Sequence, residues 1–128
     1  MTILCDTYIF FEIFRGNDAV INECEAIGYE NLAICDLTIG EIYYGMKKSE
    51  ERKTKELMSL FKRFRLTKDV SKHFVEVMSD NFGYRLAIPD ALIASVGLAN
   101  DLSVFTLNVA DFKKVRGLKL YKPKSKLT

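Results

Sequence analysis

The chain has 128 residues, 48% of them hydrophobic, with 19 basic and 17 acidic side chains and a formal net charge of +2. That size and apolar content suit a single domain over residues 1–128 with one real core, and exclude a mainly disordered chain. No apolar run approaches the ~20 residues of a membrane span. The opening MTILCDTYIFFEIFRG carries Asp6 and Glu12 and lacks a basic leader, so the protein is expected in the cytoplasm and off the membrane.

Thr2–Asp6 is a short apolar run ending in a polar residue, as in a buried strand. In TYIFFEIFRG, Ile9/Ile13 and Phe10/Phe14 recur at helical spacing, and Gly16 ends that helix. Asn17 or Asp18 caps the next one, which runs to about Gly28 with Val20, Ile21, Cys24 and Ile27 on one face. Leu32–Cys35 is a second strand, followed by helix from about Thr38. A further helical stretch, Ser49–Lys62, turns Leu57, Leu60, Phe61 and Phe64 inward. Phe64–Thr67 reads as a third strand. Asp69–Gly83 is helical, and Pro89 opens a helix that ends at Asn100 or Asp101. Leu102–Leu107 and Lys119–Tyr121 are the last strands, and a basic tail begins at about residue 122. Strands alternating with helices imply a mostly parallel sheet with helices on both faces, an α/β fold whose ligands bind beyond the carboxyl ends of the strands.

Cys5, Cys24 and Cys35 show no CxxC spacing and are expected to stay reduced, Cys5 and Cys35 as small core residues. His73 is the sole histidine, which argues against a multi-histidine zinc site; it is expected to be a solvated helix residue. Charge is unevenly placed. Residues 1–60 carry 11 acids and 6 bases, whereas residues 61–128 carry 6 acids and 13 bases, clustered at Lys62–Lys68 and Lys113–Lys126. The basic half offers a phosphate-binding surface, the alternative being a solvated face with a frayed tail.

Asp6, Glu41, Asp90 and Asp111 each stand where a strand and a helix should meet. Each has a local explanation. Asp6 can cap the first helix, and Thr38-Ile-Gly-Glu41 matches a capping box, although a helix that begins earlier, with Asp36 as its cap, would instead point Glu41 toward the strand ends. Asp90 favours the positive end of its helix, and Asn108 can cap a turn that carries Asp111. Together the four read as a metal-binding cluster. Neighbouring carboxylates repel unless a cation neutralises them, and Mg²⁺ or Mn²⁺ prefers oxygen ligands.

The phrases LCDTYIF, LTIGEIYYG, IPDALIAS and TLNVADF, in this order over nearly the whole chain, resemble the PIN-domain ribonucleases, and among them the VapC toxins of toxin–antitoxin pairs. The resemblance implies a three-layer α/β/α sandwich and a Mg²⁺- or Mn²⁺-dependent endoribonuclease. It implies Asp6, Glu41, Asp90 and Asp111 as catalytic acids, with Asn108 as a neutral rival to Asp111, and Thr7 and Thr106 in support. Asp6 and Asp90 are the implied metal ligands, with Glu41 and Asp111 as further candidates. An RNA substrate, a homodimer and a cognate antitoxin are also implied. The apolar segments Ile9–Phe14 and Ile42–Met46 could supply partner surface, but core is the expected use. One position departs from the family pattern: Tyr8 stands where a small Asn or Ser commonly follows Asp-Thr, and loss of such a supporting group can weaken metal binding or activity about 10–100-fold. Tyr8 is expected to pack in the core, with stacking on a base as the alternative. Tyr8 and Asn108 motivate a second reading, a degenerate PIN domain that binds RNA or a partner without cleaving.

Overall fold

Five short segments pair side by side in the computed structural model, which describes residues 1–127. They are β1 (Ile3–Cys5), β2 (Leu32–Cys35), β3 (Lys62–Phe64), β4 (Ser103–Phe105) and β5 (Lys119–Leu120), all parallel and ordered β3-β2-β1-β4-β5. The period-2 alternation of a strand divides their side chains between two apolar layers. Ile3, Cys5, Leu32, Ile34 and Phe105 meet α1 (Thr7–Phe14) and α2 (Asp18–Ile27) on one face. Leu4, Ala33, Cys35 and Val104 meet α5 (Lys68–Asp80) and α6 (Ile88–Ala99) on the other. The fold is therefore α/β, with the sheet covered by helices on both sides as a parallel sheet requires. Helices α3 (Asp36–Gly45), α4 (Glu51–Met58) and the single turn α7 (Val109–Phe112) complete it.

The chain steps from β1 outward to β3, then returns through α5 and α6 to place β4 on the opposite flank of β1. Strand order reverses at β1, so a crevice opens beyond its carboxyl end, the place where open α/β sheets bind ligands. The Asp6 N–H donates to the Phe105 carbonyl at 2.9 Å, which ties the exits of β1 and β4 together. Helix α6 approaches closely because residue 97 lacks a side chain: a Cβ on Gly97 would lie 3.0 Å from Val104 Cγ2.

Several sequence expectations are corrected. The third strand is Lys62–Phe64, not Phe64–Thr67. It pairs only with β2, so one side of it faces solvent and its pattern is charged rather than apolar. Helix α4 stops at Met58, short of Lys62, and Leu60, expected inward, lies in the turn at 54% exposure. The capping box at Thr38 and Glu41 does not form, because α3 already begins at Asp36 and Thr38 is buried inside its first turn. Tyr8 is not core: it is 61% exposed. All three cysteines are buried free thiols, and His73 on α5 is partly exposed, with Asp69 3.9 Å away. No helix is long and apolar enough to cross a membrane among the described residues.

The tail is strapped down rather than frayed. The buried Glu23 carboxylate on α2 accepts from the Tyr121 hydroxyl, the Lys124 N–H (3.1 Å) and the Ser125 hydroxyl (3.2 Å). Tyr121 packs edge-on against Phe105, and Leu127 joins the apolar layer beneath. Glu23→Ala leaves the Tyr121 hydroxyl without its acceptor and is expected to cost about 1–3 kcal/mol in urea unfolding. Protease should then nick the segment after Tyr121 first; an unchanged nicking pattern would show that Glu23 does not hold the tail.

Candidate metal centre

Asp6 leaves β1 as the cap of α1, and both its oxygens are held. Oδ1 accepts from the Thr7 N–H at 2.7 Å and Oδ2 from the Thr106 hydroxyl at 2.8 Å. Thr106 in turn accepts from the Asn108 N–H at 2.9 Å, which fixes the turn leaving β4. The Thr7 hydroxyl donates to Glu41 Oε1 at 2.7 Å and lies 2.9 Å from the Thr38 hydroxyl. Because the single Thr7 proton goes to Glu41, Thr38 is the donor of that second pair. Two threonines thus orient two acids from different elements, and the capping explanation of Asp6 coexists with its place in the cluster.

Asp90 lies in the first turn of α6 and Asn108 just before α7. Asn108 Nδ2 donates to Asp90 Oδ2 at 3.3 Å and to Asp111 Oδ2 at 2.6 Å. The other Asp111 oxygen accepts from the Tyr84 hydroxyl, and Lys114 Nζ sits 4.2 Å above the Tyr84 ring. Asp6, Thr7, Glu41, Asp90 and Asn108 line one open pocket of about 320 Å³, with Tyr8 at its rim, edge-on to Phe11. Asp111 does not line it.

The electrostatics separate the acids. Burial, reinforced by Asp90 and Glu41, pushes Asp6 up to about 6 despite the bonds from Thr106 and Thr7. Burial, then the charges of Asp111 and Glu41, raises Asp90, while Asn108 pulls the other way. The Tyr84 and Asn108 hydrogen bonds hold Asp111 below the usual carboxylate range. No basic side chain forms an ion pair with any of the four acids among the described residues. Nor do three His, Cys, Asp or Glu residues form a ready-made metal cage there. What stands open is a pocket with Asp6, Glu41, Asp90 and Asn108 on a wall shared with Phe11, Pro89 and Ile93, and burial disfavours the ionisation of Asp6 and Asp90. Its donor set fits a hard divalent ion that retains some water, held by Asp6 and Asp90 with Glu41 and Asn108 beside them.

A family model for the PIN domain matches residues 3–118. The chain belongs to the PIN domain family. No curated protein matches it significantly in sequence. Among solved structures, this PIN domain resembles a toxin–antitoxin complex from Klebsiella pneumoniae, with 28% identity, TM-score 0.79, and coverage of 91% of this chain and 95% of that one. It resembles VapBC2 from Rickettsia felis, bound to a promoter DNA fragment, at 25% identity and TM-score 0.80 over 94% and 98% of the two chains. It shares the fold of the DNA-bound VapBC from Salmonella typhimurium at 18% identity and TM-score 0.82, with 94% and 97% covered. VapBC complexes thus stand among the solved structures whose fold this PIN domain shares.

Of the residues singled out in the sequence, this PIN domain brings Asp6, Glu41, Asp90 and Asn108 to one pocket, with Thr7 and Thr106 bonded directly to the acids. Asp111 is set back behind Asn108. Two contributors escaped sequence reading. Thr38 looked like a cap and instead supports Thr7. Tyr84, in the turn between α5 and α6, has no local pattern that marks it, because its partner Asp111 is 27 positions away.

Proposed function

We propose that this PIN domain is the toxin of a toxin–antitoxin pair, a cytoplasmic endoribonuclease that hydrolyses RNA phosphodiester bonds with a Mg²⁺ or Mn²⁺ ion held by Asp6 and Asp90. The observation that carries the reading is the pocket itself: Asp6, Glu41 and Asp90 converge beyond the carboxyl end of β1 with no basic partner among the described residues. A bound divalent ion would supply water activation and stabilisation of charge on phosphoryl oxygens. Thr7 and Thr106 keep Glu41 and Asp6 aimed, and Asn108 spaces Asp90 from Asp111. The exposed bases Lys113 and Lys114, just after Asp111, would attract the RNA backbone. Tyr8, exposed at the pocket rim, is placed to stack on a base.

An antitoxin partner is supported by the toxin–antitoxin neighbours. An apolar groove of about 670 Å³, lined by Phe11, Phe14, Ile42, Met46 and Leu57 with Lys53 at its side, would suit its docking segment. Phe11 lines both groove and acidic pocket, so a segment seated there reaches the site. We also propose that the toxin pairs as a homodimer.

Antitoxin-free protein incubated with RNA is expected to cut it in Mg²⁺ or Mn²⁺ and to stop cutting in EDTA. RNA left intact in both ions by folded protein would overturn the nuclease reading and favour the binding-only one, which Asn108 motivates as a neutral group in the pocket. Mapping the new RNA ends after induced expression identifies the target.

A further inference from the structure

Asp111 stands outside the pocket lining, and both its oxygens are engaged: one accepts from the Tyr84 hydroxyl and the other from Asn108 Nδ2 at 2.6 Å. Carboxylates only accept, so an amide lying between Asp90 and Asp111 must present its nitrogen to both. Each of the two Asn108 side-chain N–H groups then has a carboxylate partner, and its Oδ1 takes part in no hydrogen bond among the described residues. The amide is therefore polarised in one direction, and Asp111 is the stronger of its two anchors by distance. Asp111 is itself on a four-residue turn, and the Tyr84 hydroxyl holds the oxygen that Asn108 does not. Tyr84 is held in its own place. Its backbone N–H donates to the Asn81 carbonyl at 3.0 Å, the next residue, Arg85, turns the chain with φ of 65°, and Lys114 covers the ring.

We infer that Tyr84 is a positioning residue for the metal pocket: by clamping Asp111 it locks the Asn108 amide with its nitrogen on the two carboxylates and its oxygen free for the ion. This rests on the metal-dependent reading above. It makes Asp111 a support for the pocket rather than a direct ligand, and accounts for a neutral residue at 108 without loss of an oxygen donor.

The test is Mn²⁺ binding to the metal-free full chain by calorimetry, together with thermal unfolding. Tyr84→Phe removes the hydroxyl and keeps the ring beneath Lys114. It is expected to weaken Mn²⁺ binding about tenfold, as loss of a group orienting a ligand does, with the melting temperature unchanged. In an Asp111→Ala background, which leaves the hydroxyl no acceptor, the same substitution should have no further effect, since the two act through one bond. Wild-type affinity in Tyr84→Phe, or an equal tenfold loss in the Asp111→Ala background, overturns the clamp while leaving the metal reading intact. Absence of Mn²⁺ binding by the wild-type chain removes the metal reading and the clamp with it. Asp6→Asn is the comparison that registers loss of a direct ligand.

Discussion

Asp6→Asn and Asp90→Asn are each expected to lower Mg²⁺-dependent RNA cleavage by more than about 100-fold while the fold survives. Loss of a group that merely orients a ligand costs about 10–100-fold, so loss of the ligand's charge costs more. Asn matches Asp in shape. Residue 6 keeps an acceptor for the Thr7 N–H, and the Thr106 hydroxyl can turn to accept from the new amide. Among the described residues the Asp90 carboxylate is bonded only by Asn108, at 3.3 Å, and its replacement disturbs little else. Cleavage assays with and without Mg²⁺, run beside circular dichroism, check this. Full cleavage by both variants would sink the mechanism.

The metal-free protein is expected to become less stable as pH rises from about 4 to 6, against the usual behaviour of carboxylates. Asp6 has a folded pKa of about 6, above the ~3.9 of an unfolded Asp. Across that window the folded state binds more protons than the unfolded one, so stability falls with rising pH and levels off above the folded value. Two units correspond to about 3 kcal/mol. The raised Asp90 acts in the same direction. Asp111, held low, contributes the opposite trend below the window. Urea unfolding in EDTA at pH 4.5 and pH 7 measures the total, and the difference between wild type and Asp6→Asn isolates Asp6. That variant should be the more stable of the two at pH 7. Mg²⁺ or Mn²⁺ should restore the wild type, since a ligand of the native state stabilises it by mass action. Parallel pH profiles for the two proteins would show that Asp6 carries no such burden.

Legibility in the sequence followed the range of the physics. β1, β2 and the start of α6 were readable because their signals are local: unbroken apolar runs bounded by polar residues, and Pro89 at a helix start. β3 was misplaced because an edge strand needs one partner only and its sequence, Lys-Arg-Phe, shows no apolar run. Tyr8 was expected inside because packing is the more ordinary use of a large aromatic side chain. The first turn of α1 instead points it outward, while Ile9 and Phe10 take the core. A frayed tail stayed an open alternative because its anchor, Glu23, lies about 100 positions earlier.

The sequence by itself determined the α/β alternation, the family, and the standing of Asp6, Glu41 and Asp90 near strand ends, since each of these is written in stretches of a few residues. Only the tertiary structure decided which oxygens face the pocket. Thr106 reaches Asp6 across 100 positions and Thr7 reaches Glu41 across 34. Asp111 is turned away by Tyr84 and Asn108. Side-chain direction is set by hydrogen bonds between elements that meet only after the sheet has closed, and no local pattern encodes them.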